Sequence, residues 1–196
     1  MRKPGLTEAE FRDAMNQVQA MYAATNEVPN IIGPTYGAAM CDRALKIDQA
    51  LHMLAVGIED LAYDAGIRLD RPESPPLKFP AVARNVLDGS FPSDTPVKGR
   101  HWPPLTAREH HALGLRLKDA RDRAMGLYVK FANAFPQSSP QKLAGRARKV
   151  EKAISSVRNE MDNRAHNDCP AYGDAPPGHD GVGPARSWYY GAGESR

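Results

Sequence analysis

Cysteine is nearly missing. The chain has two, Cys41 and Cys169, with no CxxC spacing and no recurring Cys/His pattern. That excludes a disulfide scaffold and a structural zinc ribbon, and it fits reduced thiols in the cytoplasm. Aromatic residues make up 7% of the chain, few for a β-sandwich, whose strands lean on aromatic and β-branched side chains. No apolar run reaches the roughly eighteen residues that a membrane-spanning helix needs. The segment Met1–Glu8 lacks the apolar core of a secretory signal, which again suggests the cytoplasm. Gly178, Gly181 and Gly183 follow no predicted strand and open no predicted helix, so they make no phosphate loop. Glu-x-x-His, the pair that di-iron bundles carry on their helices, does not occur. No metal and no cofactor is expected.

What the chain does have is apolar residues alternating at steps of four and three. One series runs Met40, Ala44, Ile47, Leu51, Leu54, Ile58, Leu61, Ala65. A second is Leu113, Leu117, Ala120, Ala124, Leu127, Phe131, Ala134, and a third is Leu143, Ala147, Val150, Ile154, Val157, Met161. This spacing puts each series on one face of a helix. A shorter set, Phe11, Met15, Val18 and Tyr22, follows Thr7 and Glu10, a capping box in which hydroxyl and carboxylate each take an orphan N–H. Thr106 and Glu109 repeat the box ahead of the second long series. The prediction is an all-α four-helix bundle occupying residues 1–168.

Helix boundaries follow from local chemistry. The first helix should run to about Ala24, with a turn over 30–34 and Thr35 capping the next helix. Gly66 is a left-handed stop for that second helix. Ser139 and Pro140 read as the start of the last one, which makes it an antiparallel partner of the helix before it. Between the second and third helices, residues 67–104 form a Pro-rich insertion with eight prolines from Pro72 to Pro104, leaving room for one short helix over about 81–87. Such a connection can carry the chain back along the bundle and let the two flanking helices lie parallel. Residues 169–196, rich in Gly and Pro, are expected to be a flexible, disordered tail.

The net charge of +3 conceals an asymmetry: residues 167–196 hold four acidic and two basic residues, so the rest carries about +5. Lys142, Arg146, Arg148, Lys149 and Lys152 open the last helix with only Glu151 against them. A stripe of this kind releases counterions from a phosphate backbone without reading sequence. Arg116, Lys118, Arg121 and Arg123 are offset by Asp119 and Asp122. The far end of the last helix is polar, with Arg158, Asp162 and His166 spaced four apart as a ladder. An Arg and a His on a bundle helix resemble the catalytic pair of the HEPN ribonucleases, which cleave RNA without metal at a dimer interface. Here seven residues separate Arg158 from His166, a longer spacing than that family's. His110 continues the second long series backward by three, where a satisfied, partly buried imidazole is the ordinary outcome. In the tail, Trp188, Tyr189 and Tyr190 form an aromatic cluster, either an anchor for a protein partner or a segment that folds back over a leftover apolar patch.

Three functions follow in order. The first is a non-enzymatic cytoplasmic interaction or regulatory protein, dimeric, with a protein partner. The second is a nucleic-acid-binding protein using Lys142, Arg146, Arg148, Lys149 and Lys152. The third is a metal-independent ribonuclease centred on Arg158, Asp162 and His166. No membrane association is expected.

Overall fold

Burial of the three long apolar series and one shorter one dictates the architecture. The computed structural model describes residues 5–69, 104–135, 142–169 and Tyr189. Five helices are present there and no strand: α1 Glu8–Thr25, α2 Val28–Tyr36, α3 Ala38–Asp64, α4 Ala107–Ala134 and α5 Leu143–Asp168. The four long ones form the all-α bundle. The short helix expected over 81–87 and the Pro-rich insertion from 70 to 103 lie outside the described residues.

Both capping boxes form. The Thr7 backbone N–H and hydroxyl each donate to Glu10 Oε2 at 2.8 Å, and Thr106 does the same to Glu109 Oε2 at 2.8 Å. These bonds hold both glutamates below the ordinary carboxylate pKa. The stop at Gly66 is also as expected. Gly66 has φ 75°, its N–H bonds the Tyr63 carbonyl at 2.9 Å, and the Ile67 N–H reaches back to Ala62 O at 2.8 Å. That pair of bonds is a Schellman motif, and it needs the left-handed residue that glycine supplies.

Two boundaries differ from expectation. The stretch around 30–34 is not a turn but the body of α2, and Thr35 lies inside that helix rather than capping α3. Pro29 sits in the first turn, where no N–H is required, whereas Pro34 lies inside the helix and cannot donate to the Asn30 carbonyl, so α2 forms in spite of it. Val28, Pro29, Ile32 and Gly33 are buried, which repays the ordering of this short element. At the other site, α5 begins at Leu143, not at Ser139–Pro140. Lys142 takes the left-handed conformation (φ 46°, ψ 44°), which a continuous helix from Pro140 would not allow.

The second and third long series are buried as predicted along their whole length. The first leaves its track at one end, where Ala62 replaces Leu61 and Ala65. On α1, Met21 and Thr25 take over from the half-buried Tyr22. A 3.6-residue helix drifts against a strict seven-residue repeat, so long seams migrate in this way.

Side-chain pairs give the topology. Asp13 meets Lys130 at 2.9 Å and Gln17 meets Arg123 at 2.8 Å, making α1 antiparallel to α4. Arg43 meets Ser156, and Arg146 meets the Met53 carbonyl, making α3 antiparallel to α5. Arg121–Glu151 and His110–Asp168 do the same for α4 and α5. Therefore α3 and α4 run parallel.

Gly57 on α3 leaves room for two side chains of α5. A Cβ there would lie 2.5 Å from Arg146 Nη1 and 2.8 Å from Leu143 Cδ2. Arg146 lies across this gap, donating from Nη1 to Met53 O at 2.6 Å. Replacing Gly57 with Val should therefore lower stability by about 1–3 kcal/mol through overpacking. Gly126, exposed on α4 with nothing within 4 Å of its would-be Cβ, is the control. Gly126→Ala should raise stability by about 0.5–1 kcal/mol from helix propensity alone. Urea unfolding of the two variants measures both signs.

Candidate functional site

The apolar seam of α5 ends before the helix does. Met161 and Ala165 continue it, but Arg158 and Asp162 lie beside them and are only 1% and 2% exposed. The seam steps four from Met161 to Ala165, so Arg164 is not a core residue. It pairs with Glu160 at 3.2 Å, and its guanidinium carbon lies 5.5 Å from the centre of the Tyr36 ring.

A buried polar cluster closes this end of the bundle, with contributions from α2, α4, α5 and the C-terminal segment. Tyr36 Oη donates to Asp168 Oδ2 at 2.5 Å. His110 Nε2 lies 3.4 Å from the same carboxylate oxygen and 3.3 Å from Tyr36 Oη. The other ring nitrogen, Nδ1, is 2.7 Å from Tyr189 Oη, and the two rings meet edge-on at 5.9 Å and 83°. Arg158 completes the set, donating from Nε to the Tyr189 carbonyl at 2.7 Å and from Nη2 to the same oxygen.

Protonation follows from the partners. Burial pushes the His110 pKa below the usual imidazole value, against the opposing pull of the Asp168 hydrogen bond and charge. A neutral ring has one donor and one acceptor. With the carboxylate on the Nε2 side, Nε2 carries the proton and Nδ1 accepts from the Tyr189 hydroxyl. Burial also raises the Tyr189 pKa, which keeps that hydroxyl protonated as a donor.

The residues proposed from sequence are distributed differently. Arg158 and Asp162 share one buried edge of α5, but His166 is exposed, its Nδ1 3.0 Å from Asp162 O. Each step of four residues turns about 40° around a helix, so a ladder of three ends well off the face where it began. The structure does not assemble the ribonuclease triad, because Arg158 is engaged in the core and His166 faces water. Tyr189 is fully buried, so it folds back rather than standing out as an anchor. Cys169, the first residue of the expected flexible tail, is buried and caps α5, while Trp188, Tyr190 and the rest of that tail apart from Tyr189 lie outside the described residues. Cys41 and Cys169 have thiol pKa values raised by burial, the opposite of what a nucleophile needs. Among the described residues, no group of three His, Cys, Asp or Glu side chains could hold a metal ion.

Of the basic stripe, Lys142, Arg148, Lys149 and Lys152 are exposed on α5. Arg146 is not part of that open surface, since it bridges to α3. Arg148 rests over the Tyr128 ring at 5.6 Å. On α4, by contrast, Arg116, Lys118, Arg121 and Arg123 all pair with carboxylates.

Comparison with known proteins returns no matching family model, no matching curated protein and no matching solved structure.

Two buried groups give pH dependences of opposite sign. The folded pKa of His110 lies below 6.5, so its neutral, buried form contributes full stability above pH 6.5 and loses it as pH falls. The lead of the wild type over His110→Asn should shrink between about pH 7.5 and 5, read by urea unfolding. Asp48 is the reverse: burial between α1 and α3 pushes its pKa up to about 6 from 3.8. Its ionised form costs stability above pH 6, and that cost is relieved as pH falls toward 3.8. Asp48→Asn should stabilise the fold by about 1 kcal/mol near pH 8, with the gain gone by about pH 4.

Proposed function

We propose that this chain is a non-enzymatic cytoplasmic binding protein that engages the phosphate backbone of nucleic acid through the first half of α5. The observation that carries the reading is the contrast between two neighbouring helices. Arg116, Lys118, Arg121 and Arg123 of α4 are paired with carboxylates, whereas Lys149 and Lys152 of α5, and Lys142 at its N-terminal cap, are exposed with no ion pair among the described residues. Arg148 adds a fourth positive group on the same half-helix, with an aromatic ring beneath it. Cations held on a rigid helix meet a regularly charged polymer at little entropic cost. The commitment of Arg158 to the Tyr189 carbonyl in the core favours binding over catalysis.

A protein partner or a second copy of the chain is a second reading. It is favoured by Leu115, Met125 and Val129, which lie exposed on the outer side of α4. A concentration-dependent dimer in sedimentation, lost on Leu115→Lys and Val129→Lys, supports that reading.

For nucleic acid, affinity should fall with salt at a slope in log–log form of about −3 to −4, as expected for three or four phosphate contacts. Reversing Arg148, Lys149 and Lys152 to Glu should abolish binding to a double-stranded oligonucleotide while lowering stability by no more than the about 0.5–1 kcal/mol of the Arg148–Tyr128 contact. Arg146 is left intact in that variant because it supports the α3–α5 contact. Binding insensitive to salt, or retained by the triple variant, contradicts the proposal.

A further inference from the structure

The polar end of the bundle reads two different atoms of one residue. The phenol hydroxyl of Tyr189 lies 2.7 Å from His110 Nδ1 on α4, and its main-chain carbonyl accepts from Arg158 on α5 at 2.7 Å from Nε. Tyr189 is twenty positions beyond Cys169, where the described part of α5 and its cap end. It is fully buried, as are the His110 ring and the Asp168 side chain. Tyr36 and Asp168 fix the far nitrogen of His110, so the near one is aimed as an acceptor toward the hydroxyl. A guanidinium on a carbonyl combined with an imidazole on a phenol is recognition of tyrosine as part of a peptide chain. A free phenol lacks the carbonyl, and a phenylalanyl peptide lacks the hydroxyl.

We propose that this end of the bundle is a tyrosyl-peptide binding slot, and that the chain's own C-terminal segment is its resident ligand through Tyr189. The slot is built from side chains of the helical bundle, and the segment supplies its ligand in cis. This site is separate from the exposed cations of α5, so the inference stands independently of nucleic-acid binding.

The test uses the full chain carrying Tyr189→Ala, which vacates the slot. N-acetyl-L-tyrosinamide should raise the melting temperature of this variant in a saturable way and leave that of the wild type unchanged at the same concentrations. N-acetyl-L-phenylalaninamide and p-cresol, each missing one of the two recognised groups, should bind about tenfold more weakly. Adding Arg158→Met should remove the advantage of the tyrosinamide over p-cresol. Equal binding of all three compounds, or equal binding of the tyrosinamide to variant and wild type, overturns the proposal. Should the alanine variant not fold, Tyr189→Phe serves, read by the rate of chymotryptic cleavage after residue 189, which is fully buried. Loss of the hydroxyl contact should speed that cut by about fivefold or more through easier release of the segment. An unchanged rate overturns the proposal equally.

Discussion

A guanidinium buried in a helical core must find acceptors, and that requirement organises one whole end of this bundle. Arg158 lies against Val157 and Met161 on α5 at 1% exposure. Leaving such a cation unpaired in a low-dielectric interior costs several kcal/mol. The Tyr189 carbonyl accepts from Arg158, and in doing so brings a large aromatic ring into the core. The ring's hydroxyl is then itself buried and needs an acceptor, which His110 provides. His110 can accept only because Tyr36 and Asp168 engage its other nitrogen. Arg158, Tyr189, His110, Tyr36 and Asp168 are thus joined in one continuous run of polar contacts.

The remainder of the fold runs on simpler terms. Four apolar seams meet, and the charged groups between them settle into ion pairs or water. Arrangement around the bundle axis makes every adjacent pair of long helices antiparallel, a favourable match of helix dipoles. The parallel pair, α3 and α4, sits on the diagonal, each antiparallel to both α1 and α5. Gly57 and Arg146 show how small and large residues cooperate at one contact: the missing side chain of the first makes room for the second.

Much of this was legible in the amino-acid order. Thr7 with Glu10, Thr106 with Glu109, and Gly66 define helix ends by chemistry confined to a few neighbouring residues, and all three form as read. The seams of α4 and α5 depend only on periodicity. What periodicity cannot report is contact between distant segments. His110 was visible as a polar residue continuing the α4 seam, and Arg158 as a neighbour of Val157, but nothing in either position names Tyr36 or Tyr189 as a partner. The stretch with Pro29 and Pro34 is a helix all the same: Pro29 occupies its first turn, where no N–H is needed, and burial of Val28, Ile32 and Gly33 offsets the bond that Pro34 cannot make. The Arg158–His166 ladder failed for a geometric reason, the 40° advance per four residues, which turns His166 out of the core.

The central claim is that His110 and Tyr189 hold one another across the end of the bundle. A double-mutant cycle with His110→Asn and Tyr189→Phe measures that directly, by urea unfolding at neutral pH of the two single variants, the double variant and the wild type. The account predicts a coupling energy of about 1–2 kcal/mol between the two sites. Additivity within about 0.3 kcal/mol would mean that the two side chains do not interact, and would contradict it.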